Sequence, residues 1–141
     1  MKKTFSLFTI CIILLSACEK EDLAPKMRRE TAEKMMGKWM VQRTLYQVYD
    51  PLPTLSSTTE TAGTANDYFE FRSGELVEVN SLSSGAKVEN YHVWNPSQVM
   101  IGEVGWWIEK LTATELELKL DRNDAAQYKR FVTRIYLSRT R

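Results

Sequence analysis

The chain has 141 residues, enough for one domain with a single hydrophobic core and too few for two. Nineteen Lys and Arg residues nearly balance eighteen Asp and Glu residues. This balance, without any basic stripe, argues against a nucleic-acid partner. Few glycines and prolines and ample aromatic residues favour a folded domain over a disordered stalk.

The first 18 residues have the three-part pattern of a secretory leader. Two lysines form a positive start, residues 5–15 form a short apolar run, and small residues precede Cys18. A transmembrane helix is the alternative, but it requires about 20 apolar residues and this run is shorter. We therefore expect residues 1–17 to be a signal peptide that is removed on export.

The tetrapeptide Leu15-Ser16-Ala17-Cys18 resembles the lipobox of bacterial lipoproteins at every position. The resemblance implies cleavage before Cys18 and several acyl chains, palmitate among them, on the new N-terminus. Two or more chains hold a protein stably on a membrane. The alternative is an ordinary signal peptide with an incidental cysteine. Because Cys11 leaves with the leader and Cys18 carries lipid, no thiol remains for a disulfide or a metal site.

The segment after the lipid site is charged. Glu19-Lys20-Glu21-Asp22 resembles the surface-export signal of Bacteroidetes lipoproteins, a lysine followed by two acids. The alternative is a solvated tether without a signal, as such charge usually indicates. We expect a lipidated tether over 18–29 and a folded domain over 30–141. We also expect the protein to be anchored to the outer membrane, on either its inner face or its outer, surface-exposed face.

A short helix and about eight strands are predicted for the domain. Composition favours a helix from Arg28 to Met36, ended by Gly37. The segments that follow are rich in Val, Ile, Leu and aromatic residues, and most alternate apolar with polar side chains. The predicted strands are Lys38–Val48, Tyr68–Arg72, Glu75–Ser81, Ala86–Trp94, Gln98–Glu103, Gly105–Leu111, Glu115–Asp121 and Gln127–Ser138.

The connections between these strands indicate the topology. Most are short and rich in Gly, Asn, Ser or Pro, with no room for a crossover helix, so successive strands should pair antiparallel. About eight strands can close into a barrel and so remove exposed edges. The fold class is therefore all-β: an antiparallel up-and-down barrel of about eight strands, preceded by a short N-terminal helix.

One connection is exceptional. Residues 50–66 form a long linker rich in Ser and Thr that begins near two prolines. A loop of this length in a compact domain is usually a lid, a binding loop or a mobile segment. We predict a loop here, which would act as a partial lid if the barrel binds a ligand. The alternative is a segment that is simply mobile.

The order of motifs resembles the lipocalin-like domains of Bacteroidetes lipoproteins over roughly residues 30–138. Gly37-Lys38-Trp39 opens the first strand after a short helix. Further similarities are the segment Phe69-Glu70-Phe71-Arg72-Ser73-Gly74 and the segment from Ile108 to Leu118. The resemblance implies that Trp39 plugs the closed end of the barrel and that an arginine of the last strand stacks on it. Arg134 or Arg139 could supply that arginine, and we assign Arg134.

The aromatic residues give the candidate binding residues. An eight-stranded barrel can fill its interior with side chains or hold one small ligand. A cup lined by aromatics would suit an apolar or amphipathic molecule, whereas the alternative is that these rings are simply the core. The candidate ligand-binding residues are Phe69, Phe71, Tyr91, Trp106 and Tyr136. Since Trp106 and Trp107 are adjacent, they should point to opposite faces, one of them outward or at the rim.

The sequence contains no positive sign of catalysis. His92 is the only histidine, so a metal site lacks ligands and a Ser-His-acid triad lacks its nucleophile elbow. Strand carboxylates could in principle pair for glycoside cleavage, but alternating charges usually form the solvated face. These carboxylates are Glu70, Glu78, Glu89, Glu103 and Glu109. We predict a non-enzyme without cofactor.

Two functions remain, and a cavity distinguishes them. The first is a lipid-anchored envelope protein that binds a small apolar or amphipathic ligand, which requires a cavity of several hundred Å³. The second is an envelope interaction protein with a filled barrel and an exposed aromatic patch near Trp106 or Trp107 that contacts a protein or glycan. An enzyme would require converging polar groups with perturbed pKa.

Overall fold

The computed structural model describes residues 23–51, 54–81 and 84–139. The leader, Cys18 and residues 19–22 lie outside these ranges. Within them the chain forms one helix followed by nine strands. The elements are α1 (Leu23–Met35), β1 (Gly37–Tyr49), β2 (Leu55–Ala62), β3 (Tyr68–Arg72), β4 (Leu76–Ser81), β5 (Gly85–Asn95), β6 (Gln98–Ile101), β7 (Val104–Leu111), β8 (Glu115–Asp124) and β9 (Lys129–Arg139).

Eight of the strands form a closed antiparallel barrel. The pairing order is β1-β3-β4-β5-β6-β7-β8-β9, and β1 pairs again with β9 to close the sheet. The closing pair runs from Trp39 opposite Arg139 to Tyr49 opposite Arg130. The predicted all-β, eight-stranded barrel with a preceding short helix is therefore confirmed.

The observed element bounds differ modestly from the predicted ones. Every predicted strand is present, and the ends move by at most three residues. Glu75 was predicted in β4 but has a φ of 59°, a left-handed conformation that belongs to the turn, so the strand begins at Leu76. Helix α1 begins at Leu23 rather than Arg28, inside the segment predicted as tether.

The predicted loop over residues 50–66 is wrong for its central part. Strand β2 occupies this segment and pairs antiparallel with β1 from Tyr49 opposite Leu55 to Arg43 opposite Ala62. Its side chains are exposed at every position, so no apolar alternation signals a strand. Threonine nevertheless favours extended backbone, and pairing with β1 supplies the hydrogen bonds.

Strands β2 and β3 follow one another along the same edge of β1. The break between them lies at Gly63, whose N–H donates to the Gln42 carbonyl at 2.9 Å. Pairing resumes near Asp67, whose carbonyl accepts from the Val41 N–H at 2.9 Å. The two strands therefore act as one interrupted strand opposite β1, and β2 extends the wall beyond β3.

The core fills the end of the barrel next to α1. Trp39 and Met35 are fully buried, and the Trp39 Nε1–H donates to the Met35 carbonyl at 2.7 Å. The alternation in β8 behaves as its sequence indicates: Leu116 and Leu118 are buried, and Glu115 is exposed. We call this packed end, next to α1, the closed end.

Candidate functional site

The inside of the barrel holds a cavity of about 460 Å³ on the side away from the closed end. Its lining comes from β1, β2, β3, β4 and β9 and from the segment that joins β2 to β3. The lining residues are Val41, Thr44, Thr61, Ala62, Gly63, Thr64, Asp67, Phe69, Val79, Asn80, Ser81 and Ile135. This volume lies within the range of small-ligand sites. The closed end of the barrel is therefore packed, whereas the side formed by β1, β2, β3, β4 and β9 holds this cavity.

Strand register explains why space remains at this level. Thr44 stands opposite Thr61 on one side and Ile135 on the other. Nearer the closed end, Trp39 is the residue of β1 that faces the barrel interior, and it stands opposite Phe69 on β3. A large indole fills the lumen at the lower level, whereas threonine side chains leave it open above.

The rim of the cavity is polar. The Asp67 carboxylate Oδ2 accepts hydrogen bonds from the Thr64 backbone N–H and the Thr64 hydroxyl, both at 2.8 Å. Asn80 and Ser81 line the cavity at the end of β4. Within the described residues β2 pairs with β1 and β4 with β3 and β5, so no strand ladder joins β2 to β4 across this part of the rim.

The five predicted ligand-binding residues do not come together. Phe69 lies at the cavity and is 7% exposed. Phe71 and Tyr91 lie in the packed core, with ring centroids 5.1 Å apart in an edge-to-face contact. Burial raises the pKa of Tyr91, whose hydroxyl lies 3.6 Å from the Met36 sulfur. These two rings therefore support the fold beneath the cavity.

The other two predicted residues lie elsewhere. Trp106 is partly buried and packs against the core, whereas its neighbour Trp107 is 48% exposed. Tyr136 has its ring beneath the Arg43 guanidinium, 4.1 Å from the ring centroid, and neither residue lines the cavity. Of the five, only Phe69 contributes to the cavity wall.

The arginine that stacks on Trp39 is Arg139, which corrects the assignment of Arg134. The Arg139 guanidinium lies 4.4 Å from the Trp39 ring centroid. Arg134 instead donates to Glu109 at 3.0 Å and to Gln47 at 2.6 Å on the outside of the barrel. The two arginines are five positions apart, and that odd spacing places them on opposite faces of β9.

Sequence reasoning missed most of the cavity wall. Thr61, Ala62 and Asp67 were not considered because the segment around them was predicted to be a loop. Val79 and Ile135 lie on correctly predicted strands, but the predicted ligand-binding residues are all aromatic. The alternation of Val77, Val79 and Ser81 along β4 is the signal that could have shown this face of the strand to be internal.

A second feature lies on the outside of the barrel. Trp94 is 57% exposed and Trp107 is 48% exposed, and both border a small hollow of about 90 Å³. Gln98, Met100 and Gly105 also line it. We call these five residues the outer aromatic surface. Its hollow is lined by no charged residue, although the protein is otherwise rich in surface charge.

The remaining candidates are engaged in surface contacts. His92 Nδ1 lies 3.1 Å from the Glu75 Oε1 atom. Arg72 bridges Glu70 and Glu78 at 2.7 Å each, and the hydrogen bond from Tyr68 lowers the pKa of Glu78. Across residues 23–51, 54–81 and 84–139 no group of three or more His, Cys, Asp or Glu could hold a metal ion. No helix in the same ranges has the length and apolarity needed to span a bilayer.

No protein-family profile matches the sequence, and no curated protein matches it significantly.

Proposed function

We propose that this protein binds a small amphipathic molecule inside its barrel. The observation that carries the proposal is the cavity of about 460 Å³, with Val41, Phe69, Val79 and Ile135 as apolar walls and a polar rim. Ligand sites are typically mostly apolar with a few polar groups that fix orientation. The packed closed end supplies a rigid base for such a site.

The proposed setting is the bacterial outer membrane, with lipid on Cys18 as the anchor. Its support is the sequence Leu15-Ser16-Ala17-Cys18 behind a short apolar leader. Membership of the lipocalin-like group is part of the same proposal. The closed eight-stranded barrel and the contact between Arg139 and Trp39 support it.

Binding without catalysis is the form of activity that we propose. Asp67 is the one titratable residue among those that line the cavity in the described parts of the chain. General acid-base chemistry usually draws on several groups within hydrogen-bond reach of the substrate. A single rim carboxylate fits the orientation of a ligand better than its conversion.

The binding proposal can be tested with the uncharged fluorophore N-phenylnaphthylamine. The protein from Glu19 onward contains every described element and its pairings, so it suits a titration in solution. We expect saturable binding, weakened at least tenfold by Thr61→Trp because the indole would occupy the cavity. Thr58→Trp is the matched control: it lies three positions away on the same strand, hence on the opposite face, and should leave the affinity unchanged. Absence of saturable binding, or equal effects of both variants, would contradict the proposal.

The anchor has its own test in cells. Cys18→Ser should abolish incorporation of labelled palmitate and release the protein from the membrane fraction. Cys11→Ser changes the other cysteine, in the leader, and should leave both properties intact. Continued labelling of the Cys18→Ser protein would show that the anchor is wrongly assigned.

A second candidate function rests on the outer aromatic surface. Two tryptophans so exposed around an uncharged hollow suit contact with a glycan or another envelope protein, because aromatic side chains offer large apolar area together with a polar N–H. A Trp94→Ala, Trp107→Ala double variant should then lose an envelope partner that co-purifies with the native protein, while N-phenylnaphthylamine binding persists. If the partner is retained by the double variant, this surface is not its binding site.

A further inference from the structure

We propose that Arg122 binds the negatively charged head of an amphiphile whose apolar body occupies the cavity. This inference rests on the proposed ligand-binding function and specifies the chemistry of the ligand. Carboxylate, sulfate and phosphate heads share the required feature, which is a set of charged oxygen atoms that accept hydrogen bonds from a guanidinium. An amphiphile with a cationic head would bind less tightly.

Arg122 lies on the inner face of β8, toward the end of the barrel opposite the closed end, which we call the far end. Leu116 and Leu118 of this strand are buried in the core, and its pairing with β9 is regular from Glu115 to Asp124. Since side chains alternate along a strand, Leu120 and Arg122 point to the same side as these leucines. Leu120 is half-buried and Arg122 is exposed, so this row of side chains runs from the packed core to the solvent at the far end.

Arg122 differs from the other arginines of the barrel because it has no partner of opposite charge in the described parts of the chain. Four of the others form ion pairs with Glu or Asp, namely Arg43, Arg72, Arg130 and Arg134. Arg139 donates to two carbonyls at the end of α1. Within residues 23–51, 54–81 and 84–139 the Arg122 guanidinium makes no hydrogen bond or ion pair, so its five N–H donors are available to a ligand.

Two aromatic rings lie beside Arg122 on the inner wall. Phe131 stands directly opposite Arg122 on β9, and its ring stacks on that of Tyr46 with the centroids 6.1 Å apart. Tyr46 is 40% exposed and lies on the same face of β1 as Thr44, which lines the cavity. An apolar surface therefore adjoins an unpaired cation, and an amphiphile with an anionic head fits this combination.

The inner faces of β8 and β9 connect Arg122 with the cavity. Leu118 stands opposite Ile135, and Arg122 stands opposite Phe131. Ile135 lines the cavity and lies four positions from Phe131, which corresponds to about 13 Å along a strand. A ligand with its head at Arg122 and its body in the cavity would span about this distance, as a hydrocarbon chain of medium length does.

The acidic residue in the cavity lining is remote from Arg122 and already engaged. Asp67 directly precedes β3, and three steps around the barrel, through β1 and β9, separate β3 from β8. Its Oδ2 atom accepts two hydrogen bonds from Thr64, and Asp67 has a further interaction besides these. Asp67 therefore does not neutralise Arg122.

The test compares ten-carbon amphiphiles at neutral pH as competitors of N-phenylnaphthylamine, each below its micelle concentration. We expect decanoate to displace the fluorophore at a concentration at least about tenfold lower than decyltrimethylammonium, with the neutral decyl glucoside between them. Decyl sulfate should behave like decanoate, because the guanidinium meets the charge of either anion. The preference should shrink as ionic strength rises from about 0.02 to 0.5 M, since salt screens an exposed charge.

Three variants locate the effect. Arg122→Gln removes the charge, so the preference for decanoate over decyltrimethylammonium should fall below about threefold. Arg122→Lys keeps the charge and should retain most of the preference. Arg130→Gln is the matched control, because Arg130 lies next to Phe131 on β9 but on the outer face, where Asp121 binds it, and this change should leave the preference unchanged. Circular dichroism and urea unfolding verify that each variant is folded.

The outcomes separate this inference from the function on which it rests. If N-phenylnaphthylamine does not bind the native protein, the binding function itself fails. If it binds but decyltrimethylammonium competes as well as decanoate, or Arg122→Gln and Arg130→Gln have equal effects, the anionic head site is wrong and the binding function stands. Should Arg122→Gln fail to fold, Arg122→Lys and the salt dependence of the native protein decide the matter.

Discussion

Arg139 connects the last strand, the first strand and the helix through one side chain. Its guanidinium lies over the Trp39 ring, and its Nη2 donates to the Lys34 carbonyl at 2.7 Å and the Met36 carbonyl at 2.9 Å. The last carbonyls of a helix lack intrahelical partners and carry partial negative charge, which a cation stabilises. Arg139 therefore satisfies the end of α1 and covers the indole at the same time.

We predict that Arg139→Gln lowers the free energy of unfolding by about 2 kcal/mol or more, because charge-assisted hydrogen bonds and a cation-π contact are lost together. Arg134→Gln on the outer face should cost about 1 kcal/mol or less, as partly exposed ion pairs do. Urea unfolding measures both values. Equal losses for the two arginines would contradict the structural role that we assign to Arg139.

The sequence could not distinguish these two arginines, and the reason lies in β9. Both faces of this strand carry apolar residues: Ile135 and Leu137 point into the barrel, whereas Val132 and Tyr136 lie on the alternate face. With no clear alternation, the inward face cannot be read from the pattern. The same ambiguity led to the placement of Tyr136 among the ligand-binding candidates.

Strand β2 depends on a close backbone approach at Gly63. A Cβ atom placed on this residue would lie 1.9 Å from the Val41 carbonyl oxygen, which is backbone and cannot simply turn away. The absence of a side chain therefore allows β2 to leave β1 and continue into β3. Since Gly63 also lines the cavity, this junction sets the shape of its rim.

We predict that Gly63→Ala destabilises the protein by about 1–3 kcal/mol, the usual cost of forced overpacking. Gly105→Ala is the matched control, because its added methyl would meet only the flexible Met100 side chain, with the sulfur at 3.3 Å. We expect that change to remain within about 0.5 kcal/mol. Thermal or urea unfolding of both variants checks the difference, and an unaffected Gly63→Ala protein would show that the strand junction can relax freely.

Eight of the nine strands were predictable from the sequence because each buries one face. Apolar and polar side chains therefore alternate along these strands. Strand β2 buries neither face, so its side chains carry no such period. Strand β2 is stabilised by backbone pairing with β1. Backbone hydrogen bonds do not require particular side chains, so the sequence pattern does not show them. A Ser- and Thr-rich segment with β-branched residues was the available hint.

At the scale of the whole molecule, an ion-pair network crosses the outer wall near the closure of the barrel. Glu109 on β7 lies 3.0 Å from Arg134 on β9 and 3.2 Å from Lys119 on β8. Asp121 accepts hydrogen bonds from the Arg130 guanidinium across β8 and β9. The network therefore connects β7, β8 and β9, the last of which closes the barrel against β1.

These contacts shift two carboxyl pKa values. The Arg130 hydrogen bond lowers the pKa of Asp121 below its ordinary value of 3.8. Burial alone would raise the pKa of Glu109, but the bonds from Arg134 and Lys119 outweigh it and hold the pKa below 4.5. Both carboxylates bind protons more readily in the unfolded chain. Their contribution to the free energy of unfolding is therefore complete above the pKa values of the unfolded chain, and it is lost as pH falls through the pKa values of the folded protein.

We predict that Glu109 and Asp121 do not change the free energy of unfolding between pH 7 and about 5.5. Below about pH 4.5 their protonation should lower it progressively. A Glu109→Gln, Asp121→Asn double variant should be roughly 1 kcal/mol less stable at pH 7 and should lose less on acidification. Urea unfolding at a series of pH values measures both curves. Parallel curves for the native and double-variant proteins would show that other groups govern acid stability.

Closure of the barrel was predictable from the number and spacing of the strands, whereas the position of the cavity was not. The cavity lies beside the pair Thr44 and Thr61, whereas the pair Trp39 and Phe69 lies nearer the closed end, and this comparison requires the strand register. Register is set by contacts between residues far apart in sequence. Aromatic content alone indicated a ligand cup or a packed core. The described residues form a packed core and, beside it, a cavity whose lining includes the aromatic residue Phe69.

The position of α1 has a consequence for how the molecule would face a lipid bilayer. The helix packs at the closed end and begins at Leu23, and only four residues separate that position from Cys18 in the sequence. Even fully extended, a stretch this short spans less than about 20 Å. Under the proposed anchor, the closed end would sit nearest the headgroups and the mouth of the cavity would point toward the aqueous phase. A ligand would then have to leave the membrane, or arrive from water, before it could enter the protein.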